Sequence, residues 1–74
     1  DNFIVAIKNY KEFIQTPGVG NSKYFASAYY NLGYCEFELD AYTKAIGWFI
    51  EEFGDNFVRQ VAAKGVFYKA MAFF

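Results

Sequence analysis

Two carboxylates, Glu36 and Glu38, come closest in this sequence to the paired acids of a catalytic site. Such a pair acts as general acid and general base only when both side chains converge on one substrate. Residues two positions apart on a helix point about 200° apart, so these two cannot converge. We expect Glu36 to be an exposed acid near a helix end, and a buried carboxylate is the alternative.

Cys35 is the only cysteine, and the sequence contains no histidine. A nucleophilic cysteine depends on a neighbouring base, and the usual zinc spacings combine cysteine with histidine. We therefore expect Cys35 to be a small packing residue. The glycines at 18 and 20 precede no GK pair, so they are not expected to bind phosphate. These features predict no catalytic residue, no cofactor site and no metal site, and hence no enzyme.

Composition narrows the class of protein further. The 74 residues suffice for one small domain with a marginal core, and 55% hydrophobic with 24% aromatic residues excludes a disordered segment. No apolar run approaches the roughly 20 residues that span a bilayer. The seven Lys and Arg residues are too few to follow a phosphate backbone. We expect neither membrane insertion by this segment nor binding of nucleic acid.

Charge is unevenly distributed along the chain. Residues 36–55 carry six acidic side chains against Lys44, whereas residues 56–74 carry Arg59, Lys64 and Lys69 and no acid. This difference is enough to orient a partner, although the simpler interpretation is that the charges keep helix faces in water.

The sequence predicts four helices, which would position any site. They span 2–15, 23–39, 41–53 and from Asp55 or Asn56 to the end of the chain. Pro17 and Gly18 stop the first helix, and Gly54 stops the third. Asn21 or Ser22 is expected to cap the second helix, and Asp40 the third. The third helix is expected to be about one turn shorter than the first. Short connections predict antiparallel neighbours.

The sequence also contains an internal repeat with an offset of 39 residues. Its first copy is Phe3, Ala6, Ile7 and Tyr10, and its second copy is Tyr42, Ala45, Ile46 and Phe49. This spacing places each set on one face of a helix. A period of this size is typical of stacked helical units, whose function resides in a surface.

The residues from Ala28 to Gly33, followed by the second copy of the repeat, resemble the signature of the tetratricopeptide repeat (TPR) family. The resemblance implies an all-α fold, in which antiparallel helix pairs stack as a right-handed α-solenoid. It implies that Gly33 and Ala45 are the small residues where two helices touch. Tyr29, Leu32, Tyr42 and Phe49 would fill the space around them.

The same alignment divides the chain into parts of successive repeats. Residues 1–15 would be the second helix of one repeat, 26–53 a complete repeat, and 57–74 the first helix of the next. We expect the chain to belong to a longer array that packs on further repeats or other chains at both ends. The long period and the loop from Pro17 to Ser22 are similar to a TPR subgroup of bacterial envelope proteins. Localisation stays open between the periplasmic side of that envelope and the cytoplasm.

The resemblance also implies where a partner would bind. The first helix of each repeat would line a concave face, and the candidate contacts are Ser27, Tyr30, Asn31, Tyr34, Lys64, Phe67, Tyr68 and Met71. Tyrosine suits such a face because it offers a large ring and a hydroxyl at low entropic cost. The alternative is that these aromatic rings belong to the core.

Two functions of different kinds follow. One is a protein–protein interaction scaffold that binds a protein or peptide segment on the concave face. The other is a structural subunit that is buried permanently in a large multiprotein assembly. A helical accessory domain of an enzyme is a more distant third.

Overall fold

The computed structural model describes residues 2–63, with side chains up to residue 60, and all regular structure within that range is helical. The helices are α1 (Phe3–Ile14), α2 (Phe25–Glu38), α3 (Tyr42–Phe53) and α4 (Asp55–Ala63). A short 3₁₀ turn, Val19–Asn21, lies between α1 and α2. The prediction of an all-α chain is confirmed over this range. The predicted extension of α4 beyond residue 63 lies outside the described residues.

Local hydrogen bonds define the ends of α1. The side chain of Asn2 accepts a hydrogen bond from the backbone N–H of Val5 (3.0 Å), which satisfies one of the unpaired donors of the first turn. At the other end, the Thr16 hydroxyl donates to the Glu12 carbonyl oxygen (2.9 Å), and Gly18 adopts a φ of 81°. The predicted stop near Pro17 is therefore confirmed.

The start of α2 lies two residues later than predicted. Ser22 Oγ accepts a hydrogen bond from the N–H of Tyr24 (3.1 Å), and the helix begins at Phe25. The Ser22 side chain thus stabilises the turn that leads into the helix, while Tyr24 occupies the position immediately before it.

The prediction that Asp40 caps α3 is wrong, because Asp40 terminates α2 instead. Asp40 has a φ of 61°, a left-handed conformation usually taken by glycine. Its N–H donates to the Phe37 carbonyl (3.0 Å), and the N–H of Ala41 donates to the Glu36 carbonyl (2.8 Å). This pair of bonds is a Schellman motif, which satisfies the last carbonyls of α2. α3 then begins after Ala41 without a side-chain cap.

The two copies of the sequence repeat fold into matching helices. α1 and α3 each contain 12 residues, so the expectation that α3 is a turn shorter is wrong. Gly54 ends α3 as predicted, with φ 84° and ψ 172°. The helices begin and end at corresponding positions of the 39-residue repeat.

Side-chain contacts show that α2 and α3 run antiparallel. Phe37, late in α2, contacts Tyr42, early in α3 (ring centroids 5.2 Å apart), whereas Tyr30, early in α2, contacts Phe49, late in α3 (5.8 Å). Phe53 at the end of α3 stacks on Phe57 near the start of α4 (4.5 Å). Each helix therefore packs on the next one along the chain, as the short connections predict.

Two groups of buried side chains form the core. Ile7, Leu32 and Cys35 lie between α1 and α2. Ala45, Ile46 and Phe49 of α3 form the second group with Val58 of α4, and Phe37 of α2 packs against it. Gly33 joins the two groups, because a Cβ atom built there would come within 2.6 Å of Phe49 Cζ. The close approach expected at Gly33 is confirmed, and Ala45, the other residue expected where the helices touch, is buried.

Candidate binding face of the second helix

The four predicted contact residues of α2, namely Ser27, Tyr30, Asn31 and Tyr34, share one side of that helix, and we call this the tyrosine face. They stand at positions i, i+3, i+4 and i+7, which lie along one side of a helix. Tyr30 is 37% exposed and Tyr34 is 42% exposed, while Ser27 is exposed and Asn31 is half-buried. The other four candidates, Lys64, Phe67, Tyr68 and Met71, lie outside the described residues.

Tyr30 combines partial exposure with extensive packing. Its ring lies 5.8 Å from the ring of Phe49 and 6.3 Å, edge to face, from that of Phe57. Contacts with α3 and α4 therefore hold the ring in place. Part of the Tyr30 side chain thus belongs to the core, which was the alternative to a binding role. Such aromatic pairs favour tilted and edge-to-face geometry because of the ring quadrupole.

Tyr34 lies one helical turn before Glu38, and both side chains are exposed. The negative charge of Glu38 is the main reason that the pKa of Tyr34 is raised. Desolvation and a hydrogen bond with the same carboxylate raise it further. The hydroxyl therefore stays protonated around neutral pH, and the ring remains neutral.

Glu36, by contrast, is buried at 4% exposure, so the expectation of an exposed acid is wrong and the alternative holds. Its Oε2 accepts a hydrogen bond from Trp48 Nε1 (3.2 Å). The Trp48 ring lies 6.0 Å from the ring of Tyr29 and 5.8 Å from Lys11 Nζ. Trp48 thus links α3 to both α1 and α2. Glu36 contributes by accepting the hydrogen bond of the Trp48 indole. The two carboxylates diverge, as their spacing predicts, since Glu38 is exposed.

Cys35 is a free, buried cysteine in the α1–α2 core, which confirms its predicted packing role. Burial raises the pKa of its thiol first, and the charges of Glu36 and Glu38 raise it further. The thiol is therefore held in its protonated, weakly nucleophilic form. Within residues 2–63, no three side chains of the metal-ligating types lie together.

A surface cavity of about 350 Å³ lies between α1 and α2, and the sequence did not predict it. It is lined by Asn9, Tyr10, Phe13, Tyr24, Ser27 and Ala28. Ser27 therefore borders both the cavity and the tyrosine face, and its hydroxyl donates to the Tyr24 carbonyl (3.1 Å). No sequence signal marks this cavity, because it depends on how the end of α1 meets the start of α2.

Comparison with known proteins gives no match to a family model, a curated protein or a solved structure. Across the described range, no helix has both the length and the apolar character needed to cross a bilayer. The candidate site therefore rests on the geometry of α2 and its neighbours.

Proposed function

We propose that this chain is a TPR-like interaction scaffold, which binds a segment of a partner protein on the tyrosine face of α2. The observation that carries this proposal is the presence of two partly exposed tyrosines on one side of α2, whose opposite side is buried. Exposed aromatic rings on a fixed helix are typical of recognition surfaces.

The stacking of helix pairs into a right-handed α-solenoid is part of the same proposal. It is supported by the matched lengths of α1 and α3 and by the close α2–α3 approach at Gly33. A further repeat on either side would extend the same packing pattern.

The mechanism we propose is recognition by a surface that is ordered before the partner arrives. The Tyr30 ring is already held by Phe49 and Phe57, so little side-chain entropy would be lost when a partner packs on it. Tyr34 would add apolar area and a hydroxyl. No step of this mechanism requires a catalytic residue or a cofactor.

A second candidate, the structural subunit, is favoured by a different surface. Ile4 is 70% exposed and Val5 is 49% exposed, and both belong to α1, whereas the tyrosine face belongs to α2. Neighbouring apolar side chains at the surface are typical of permanent interfaces between chains. The partner contacts would then involve α1 in place of α2.

Two truncations separate these functions, Tyr34→Ala on α2 and Ile4→Ala on α1. Tyr34 is chosen because it is 42% exposed. The experiment is photo-crosslinking in the cells that produce the protein, with benzoylphenylalanine placed at position 27 or at position 8, followed by mass spectrometry.

A scaffold predicts a partner cross-link from position 27 that Tyr34→Ala abolishes and Ile4→Ala leaves intact. Cross-links from position 8 that only Ile4→Ala abolishes would support the structural subunit and refute the scaffold. Circular dichroism serves as the control that both variants keep their helical content.

A further inference from the structure

We propose that the partner segment bound on the tyrosine face inserts an aromatic side chain into the cavity between α1 and α2. This inference rests on the proposed function, and it adds the chemistry and the position of the residue that anchors the bound segment.

The cavity has room for an aromatic ring. Its volume of about 350 Å³ exceeds the roughly 150 Å³ of an engineered apolar cavity that binds benzene. The remaining volume leaves space for the atoms that connect the ring to a peptide backbone.

The lining of the cavity favours an uncharged, apolar occupant. Tyr10, Phe13 and Tyr24 supply aromatic rings, and the six lining residues include no Asp, Glu, Lys or Arg. A charged group would lose hydration there without a counter-ion among the lining residues. An aromatic ring could instead contact other rings in the offset and edge-to-face geometries that their quadrupoles favour.

The other copy of the sequence repeat already holds an aromatic ring at the corresponding place. Tyr10 of α1 corresponds to Phe49 of α3 in the repeat. Tyr10 lines the cavity with Tyr24, just before α2, and the Phe49 ring lies 5.9 Å from that of Phe57, early in α4. The Tyr30 ring packs on both Phe49 and Phe57. Phe49 is 3% exposed, whereas Tyr10 is half-buried at the open cavity, so we expect the same kind of side chain to cover Tyr10.

Ser27 makes the cavity continuous with the tyrosine face, because it belongs to both. Tyr34 lies seven residues further along α2, a distance of roughly 10 Å at about 1.5 Å per residue. An extended segment covers that distance with about three residues. One segment can therefore place an aromatic residue in the cavity and contact Tyr34 about three or four positions away.

The test uses a displayed library of random 12-residue peptides as the probe. Peptides are selected on the intact chain, and those whose binding is lost with Tyr34→Ala are kept. We expect the kept peptides to share phenylalanine, tyrosine or tryptophan at one fixed position. Replacing that residue by alanine should weaken binding about tenfold or more, as expected for an anchor in a pocket.

Asn9→Trp blocks the cavity from the α1 side. Asn9 is exposed and lies outside the tyrosine face, so the substitution fills the space while leaving α2 unchanged. We expect it to weaken binding of the kept peptides about tenfold. Peptides whose aromatic residue is replaced by alanine should be indifferent to it, because their binding no longer uses the cavity.

The matched control is Lys8→Trp, which adds the same side chain at an exposed position of α1 that does not line the cavity. It should leave peptide binding unchanged. Circular dichroism confirms that each variant is folded.

Tyr34-dependent peptides that share no aromatic residue, or that bind the Asn9→Trp variant equally well, would overturn this inference and leave the proposed function standing. If no selected peptide depended on Tyr34, the proposed function itself would fail, and the inference with it. A chain that dimerises, and that Asn9→Trp makes monomeric in analytical ultracentrifugation, would assign the cavity to a second copy and refute the inference in that way.

Discussion

At Gly33 the side chain of Phe49 packs directly against the backbone of α2, and substitution by alanine tests that contact. A Cβ atom at this position would overlap the buried ring of Phe49. Overpacking of this kind costs about 1–3 kcal/mol, and it exceeds the gain of about 1 kcal/mol that alanine brings to a helix. We expect Gly33→Ala to lower the free energy of unfolding by about 1–2 kcal/mol in urea denaturation.

Gly47 provides the matched control for that substitution. It is exposed within α3, and a Cβ atom there would meet nothing within 4 Å. Gly47→Ala should therefore raise the free energy of unfolding by about 0.5–1 kcal/mol, the usual helix preference. Equal effects at the two glycines would contradict the close approach at Gly33.

Cys35 offers a second test at the level of a single side chain. Because burial and two neighbouring carboxylates raise its pKa, we expect little thiolate near pH 8 and slow reaction with a disulfide reagent. Unfolding in guanidinium should make the reaction fast, since it removes all three causes. Rapid modification of the folded chain would show that this thiol is accessible and ionised.

At the scale of an element, Gly54 decides where α3 ends and α4 begins. Its φ of 84° and ψ of 172° lie in a region that is essentially restricted to glycine. We expect Gly54→Ala to lower the free energy of unfolding by about 1–3 kcal/mol, although no atom lies near the added methyl group.

Gly20→Ala is the control for the effect of positive φ. A Cβ atom at Gly20 would also meet no atom within 4 Å, but the φ of Gly20 is not positive. It should change thermal stability little, or raise it slightly by restricting the unfolded chain. A comparable loss at both positions would mean that the conformation of Gly54 is not the cause.

For the whole molecule, three raised pKa values predict how stability changes with pH. The pKa of Cys35 and of Tyr29 is raised mainly by burial, and that of Tyr34 mainly by Glu38. Each group is neutral in the folded chain at pH values where its unfolded form, with an ordinary pKa of 9.0 or 10.0, already loses a proton. The contribution of these groups to the free energy of unfolding is complete below pH 9 and is lost as the pH rises further.

Thermal unfolding followed by the fluorescence of the single tryptophan measures this dependence. We expect a melting temperature that falls above about pH 9. Cys35→Ala should reduce the part of that fall due to the thiol, whereas the exposed Tyr34 contributes less because solvent screens it. A melting temperature that stays constant from pH 7 to 10.5 would contradict the raised pKa values.

Local sequence determined most of the helical framework. Apolar spacing and stop residues predicted α1 and α3, because proline and glycine restrict the backbone regardless of what surrounds them. The 39-residue repeat predicted that both copies form helices, but α3 has the full length of α1 and is not a turn shorter as expected. Cys35, Gly33 and Ala45 were assigned correctly to packing. At Asp40, sequence chemistry suggested a cap, but a residue in the left-handed conformation ended the preceding helix instead.

Tertiary packing alone decided the character of the candidate site. Glu36 is buried, and its carboxylate accepts a hydrogen bond from Trp48, twelve residues later. No local pattern specifies that partner. Tyr30 packs on Phe49 of α3 and Phe57 of α4, and its position on α2 does not identify these partners. Exposure depends on which helices cover a surface, and that is set by contacts between distant residues rather than by the residues themselves.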